Sequence, residues 1–187
     1  MGQLLDSAIQ FLTDGDWRFM HSEDDNWASL HYTGGSGSWL SWFQDRGSCL
    51  IAYAVCPVKA PSDRWPAISE LVGRANYGLG AGNFEMNFED GTIRYKSGIY
   101  MGDEPLTVAL VRDLFYIANT TMDDYLPAIM AVMYGDTLPQ LAVARAEEAI
   151  EARRLSRSAA ALASDETLVG DAINPELAAL LATLSSG

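Results

Sequence analysis

The sequence predicts an α+β protein: an antiparallel sheet of about five strands, helices packed on one face of it, and a helical extension at the C-terminal end. Three observations carry this expectation. Apolar and polar residues alternate with period two in several short segments joined by turn-type pairs such as Arg46-Gly47 and Asp90-Gly91. Between these segments lie others whose apolar residues recur at helical spacing. Beyond Gly135 the composition shifts to Ala and Ser, with no aromatic residue from 138 to 187. Antiparallel strand runs separated by helices make an α+β arrangement.

Residues 4–12, LLDSAIQFL, place Leu5, Ile9 and Leu12 on one stripe of a short helix that Asp14-Gly15 ends. Strand-like segments follow at 17–20 (WRFM), 27–33 (WASLHYT), 39–45 (WLSWFQD) and 48–56 (SCLIAYAVC). In the third, Trp39 and Phe43 point one way and Leu40 and Trp42 the other. A strand that is apolar on both faces needs cover on both. The stretch TGGSGS at 33–38 lacks the lysine and the following helix of a phosphate loop, and reads as a flexible turn. PSDRWPAISELVGRANYGL at 61–79 predicts a second helix, capped by Ser62 and buried through Trp65, Ile68, Val72, Ala75 and Leu79.

A hairpin comes next. Phe84, Met86 and Phe88 alternate with Glu85, Asn87 and Glu89, Asp90-Gly91 suits a two-residue type I′ turn, and Ile93 and Tyr95 alternate with Arg94 and Lys96. That turn would set Phe88 opposite Ile93, Met86 opposite Tyr95 and Glu85 opposite Lys96. A slip of one residue would turn the apolar set outward, so burial opposes it. Two further helices are expected: one through Leu110, Leu114 and Ile117, and one through DDYLPAIMAVMYG, capped by Asp123, with Pro127 in its first turn and Gly135 at its end.

Residues 1–136 thus read as one domain and 137–187 as an Ala-rich helical extension. Four bases and seven acids give residues 138–187 a charge of −3 and leave −10 on the first 137. Alanine supplies most of the extension's first apolar stripe, which buries little. NPELAALLATL is better specified, with Asn174 as cap, Pro175 opening the helix, and Leu177, Leu180, Leu181 and Leu184 on one face.

A chain of 187 residues with 49% hydrophobic content has enough apolar surface for a substantial core. Its net charge of −13 argues against nucleic acid, which demands a clustered basic surface. No run of about 18 apolar residues exists, and residues 1–20 lack a basic start followed by an apolar segment, so a cytoplasmic protein without a membrane partner is expected. Cys49 and Cys56 stand seven positions apart on one strand, roughly 23 Å at about 3.3 Å per residue. They are expected as buried free thiols.

Few residues suggest chemistry. His21 and His31 are the only histidines, and His21 lies near Glu23, Asp24 and Asp25, but the spacing matches no metal signature. An enzyme built on that cluster is the weakest of the readings. Glu85, Glu89 and Asp90 fall on a wet strand face and in a turn, away from the burial that raises a carboxyl pKa for acid–base work. Accordingly, no catalytic residue, metal ligand or cofactor is expected. The aromatic excess is more informative: four of five tryptophans lie between residues 17 and 42. Trp39, Trp42, Phe43 and Tyr53 are the candidate partner-binding residues, since large rings with few rotors dominate binding surfaces. A small-molecule pocket lined by Trp39, Trp42 and Tyr53 is the competing reading.

The linked pattern PSDRWPAISELVGRANYGLGAGNFEMNFEDGTIRYK and then MDDYLPAIMAVMYGD resembles the YbjN-like family of bacterial sensory transduction regulators. The resemblance rests on Arg64, Asn76, the Gly82-Asn83-Phe84-Glu85 entry to the hairpin, Asp90-Gly91, and Asp124, Tyr125, Pro127 and Gly135. It spans about residues 4–136 and leaves the extension unmatched. It implies a fold similar to that of type III secretion chaperones and a non-enzymatic role, in which a cytoplasmic homodimer holds a protein or peptide partner along its sheet. Arg64, Asn76 and Glu85 also suit the duty of satisfying backbone groups. Asn76, two residues before Gly78, reads as ending its helix.

Overall fold

The computed structural model describes residues 3–102 and 104–171. Helix α1 (Gln3–Asp14) leads into strands β1 (Phe19–Ser22), β2 (Trp27–Thr33), β3 (Ser38–Asp45) and β4 (Cys49–Val55). A single 3-10 turn (Ser62–Arg64) opens helix α2 (Trp65–Gly78), and strands β5 (Asn83–Met86) and β6 (Ile93–Tyr100) follow. Helices α3 (Val108–Tyr134) and α4 (Pro139–Asp171) complete the described chain. The sheet has six strands, not five, all antiparallel, in the order β1-β2-β3-β4-β6-β5. The chain divides into two compact units, residues 1–146 and 147–187. The expected terminal helix at Asn174–Leu184 lies outside the described residues.

One face of the sheet is closed. Alternation along β3 sends Trp39, Ser41, Phe43 and Asp45 inward, all buried, and leaves Leu40, Trp42 and Gln44 half-buried on the other side. Phe43 meets Phe115 of α3 at 5.8 Å and Phe11 of α1 at 6.5 Å between ring centroids, and Phe84 meets Tyr125 of α3 at 5.5 Å. Trp17, Tyr32 and Trp39 extend this aromatic layer around Phe115. Asp45, although buried, is satisfied: it accepts from Leu5 N in the first turn of α1 at 3.1 Å and from Gly47 N at 2.7 Å. A carboxylate there complements the exposed amides of a helix N-terminus.

Several local expectations are corrected. The hairpin pairs Met86 with Ile93, Glu85 with Arg94, Phe84 with Tyr95 and Asn83 with Lys96, two residues away from the expected register. Burial excludes a slip of one residue but not of two, because a two-residue shift keeps every side chain on its face. The loop is therefore wider than Asp90-Gly91. Asn87 closes it, donating its N–H to Thr92 O and accepting from Gly91 N, both at 2.8 Å. The Gly91 carbonyl accepts from Ala60 N at 2.8 Å. At φ 74° a Cβ on Gly91 would lie 2.1 Å from Ala60 O, so this contact needs glycine. Phe88 leaves the strand and lies exposed, edge-on to Trp65 at 5.9 Å.

Ser62 caps nothing; α2 begins after the 3-10 turn and buries Ile68, Leu71 and Ala75. The two helices expected between 104 and 135 are one, and its buried stripe runs through Val111, Leu114, Phe115, Ala118 and Met122, with Leu110 and Ile117 outside. Pro127 sits inside α3 instead of in a first turn. It has no N–H for the Asp123 carbonyl four residues back. Ser36 Oγ supplies the missing donor at 2.8 Å. The Asp123 carboxylate accepts in turn from Gly35 N at 2.9 Å and Ser36 N at 2.6 Å. The glycine-rich turn is thus pinned to α3, and Asp123 is its anchor and not a helix cap.

Candidate functional site

Among the described residues of the first unit, the opposite face of the sheet carries no helix layer. Strand register aligns Met20, Ser29, Trp42, Tyr53, Lys96 and Asn83 in one row across all six strands. The neighbouring row holds His31, Leu40, Val55, Arg94 and Glu85. The Trp42 and Tyr53 rings lie 5.1 Å apart, and the Arg94 guanidinium covers the Tyr53 ring at 4.4 Å. Tyr53 is buried, with the Trp42 ring and the Arg94 guanidinium against it. A cation over an aromatic face is attracted by the ring quadrupole. Trp42 Nε1 is buried and has no hydrogen-bond partner among the described residues.

Glu85 ties the cations together, accepting from Arg94 Nε at 2.8 Å and also from Lys96 Nζ. Burial pushes its carboxyl pKa up, but the hydrogen bonds and charges of Lys96 and Arg94 outweigh this and hold it below the ordinary value. Two cavities of about 330 Å³ each open on this face. The first is lined by Trp27, Ser29, Leu40, Trp42 and Gln44. The second is lined by residues 18–20, 29–31 and Leu40.

Of the four residues expected to bind a partner, only Trp42 and Tyr53 lie on the open face. Trp39 (2% exposed) and Phe43 (0%) belong to the closed core. They follow from the same alternation that puts Trp42 outside, and Trp39 Nε1 donates to Asn119 Oδ1 at 2.9 Å. Trp39, Trp42 and Tyr53 therefore do not line one pocket. Trp27, Arg94 and Lys96 join the face instead. Tyr53 meets Arg94 only through the long-range pairing of β4 with β6, which local spacing does not reveal.

The residues carrying the family resemblance hold the fold. Asn76 does not end α2; its Oδ1 accepts from Phe84 N at 2.7 Å and its Nδ2 donates to Phe84 O at 3.1 Å, which occupies the outer edge of β5. Gly82, at φ 66°, leaves room for the Tyr95 hydroxyl, which donates to Ala81 O. Asn83 Nδ2 donates to Phe84 O at 3.2 Å. Arg64 pairs with Asp136 at 3.9 Å near the surface. Cys49 and Cys56 are both buried and free, and burial raises the Cys56 thiol pKa to about 11. His21, Glu23, Asp24 and Asp25 are exposed, and among the described residues no group of three or more His, Cys, Asp or Glu side chains could hold a metal ion. Within the same residues no helix is long and apolar enough to cross a membrane.

Fold and site together define a small α+β protein whose distinctive feature is an aromatic sheet surface. Residues 6–131 match the family model YbjN, described as "Putative bacterial sensory transduction regulator", and the chain belongs to that family. Among solved structures it is similar to the crystal structure of YbjN from E. coli, titled a putative transcription regulator, with 11% identity, a TM-score of 0.44, and coverage of 69% of this chain and 88% of that one. No curated protein matches the chain.

Proposed function

We propose that this YbjN-family protein is a non-catalytic adaptor in sensory transduction that holds a partner polypeptide on the open face of its sheet. It works in the cytoplasm as a homodimer, in the manner of a type III secretion chaperone. The supporting observation is the row Ser29, Trp42, Tyr53 and Lys96: large rings and a cation on a face that no described helix of the first unit packs against. An indole N–H that is buried without an acceptor forfeits a hydrogen bond. The two free thiols agree with a reducing compartment.

Light scattering on the full chain should give twice the chain mass. Affinity capture should recover a discrete set of proteins that a Trp42→Glu variant of unchanged far-UV circular dichroism loses. A monomer that recovers the same proteins before and after the substitution would refute the reading. A second reading draws on the cavity of about 330 Å³ between Trp27 and Trp42, a size at the lower end for small ligands. Native mass spectrometry that finds a small molecule retained by the wild type and lost from Trp42→Glu would favour sensing over docking.

A further inference from the structure

The two cavities on the open face share Ser29 and Leu40 as a common wall and so form one groove. Trp27, Trp42 and Gln44 bound one end, and Arg18, Met20 and His31 the other. No Asp or Glu lines either part, in a chain with 25 acids and 12 bases. Arg18 has no ion-pair partner among the described residues. The acidic turn Glu23–Asp25 lies at the far end of β1, and Asp14 and Asp16, which precede Arg18 in the chain, neither line the groove nor pair with Arg18 among the described residues. Arg18 is the one Lys or Arg side chain that lines the groove.

Trp42 on β3 and the position of Arg18 beside β1 are two strand spacings and one two-residue step apart, roughly 12 Å at about 4.8 Å between strands and about 3.3 Å per residue. An extended chain covers that distance in about three or four residues. We infer that the groove anchors an acidic partner segment, which seats a large apolar side chain between Trp27 and Trp42 and a carboxylate, three or four residues away, at Arg18. This inference rests on the docking function proposed above and names the chemistry of the partner. Aromatic walls supply the buried area, and the lone cation sets direction and selectivity.

The test is selection of a random dodecapeptide display library on the full-length protein and, in parallel, on Arg18→Gln, Arg18→Glu and Trp42→Ala, each verified by circular dichroism. The wild type should enrich peptides with Asp or Glu three or four positions from a large apolar residue. Arg18→Gln should lose the acid preference and Arg18→Glu should replace it with Lys or Arg at the same spacing, while both keep the apolar residue. A synthetic peptide from the wild-type selection should bind Arg18→Glu about tenfold more weakly, and Trp42→Ala should enrich no common apolar position. Enriched peptides with no acid preference, or with one that Arg18→Glu leaves unchanged, overturn the anchor and leave the docking function standing. Failure of the wild-type protein to enrich any peptide family overturns both.

Discussion

Asn119 is fully buried in α3, yet its carboxamide is completely used. Its Oδ1 accepts from Trp39 Nε1 at 2.9 Å, while Nδ2 donates to Ser41 Oγ at 3.1 Å and to Phe115 O at 2.9 Å. Asn119→Ala would strand a buried indole N–H and leave a void, at a cost of about 2–4 kcal/mol. Urea titration should report this as a lower midpoint with an unchanged slope. Glu85 gives a pH signature on the same scale. The folded protein holds its pKa below the unfolded value, so its contribution is full above the ordinary carboxylate range and lost as pH falls through the depressed folded value. Glu85→Gln should cost about 1 kcal/mol or less at neutral pH. The gap between variant and wild type should shrink below about pH 4 in pH-resolved denaturation, and a gap constant with pH would refute the ion-pair account.

Among the elements, α3 departs furthest from the sequence-based expectation, and the reason is local. A proline in a helix interior looks like a boundary because it orphans a carbonyl, but here Ser36 on a distant loop takes that carbonyl. Asp123→Ala should remove the acceptors for Gly35 N and Ser36 N. Hydrogen exchange at those two amides should accelerate, with a stability loss of about 1–2 kcal/mol. Unchanged protection would mean that α3 does not hold the loop. The hairpin teaches a related lesson. Its faces follow from alternation, but its register is not a local property: the loop is tied by Ala60 N bonding to Gly91 O, a partner thirty-one residues away in sequence.

For the molecule as a whole, the first unit reaches past the expected domain end at 136. Ala142, Val143 and Ala146 of α4 are buried and belong to that unit. A chain ending at Gly135 should lose about 2–3 kcal/mol of stability from their burial at ~25 cal/mol per Å², whereas one ending at Ala146 should not. Calorimetric melting of the two truncations against the full chain distinguishes these outcomes. Equal melting temperatures for both would show that the start of α4 adds nothing.

Alternation and helical spacing in the sequence determined the class of fold, where strand-like segments lie (about five strands expected where the sheet has six), and the opposite facing of Trp39 and Trp42, because each of these is a property of a single element. The tertiary structure alone decided which face the helices cover, and hence that Trp39 and Phe43 are core while Trp42 and Tyr53 are not. It also decided that Arg94 lies over Tyr53 and that the cavity lined by Arg18 adjoins, at Ser29 and Leu40, the one lined by Trp27 and Trp42. Those relations join strands far apart in sequence, and no local pattern encodes which neighbour a strand will have.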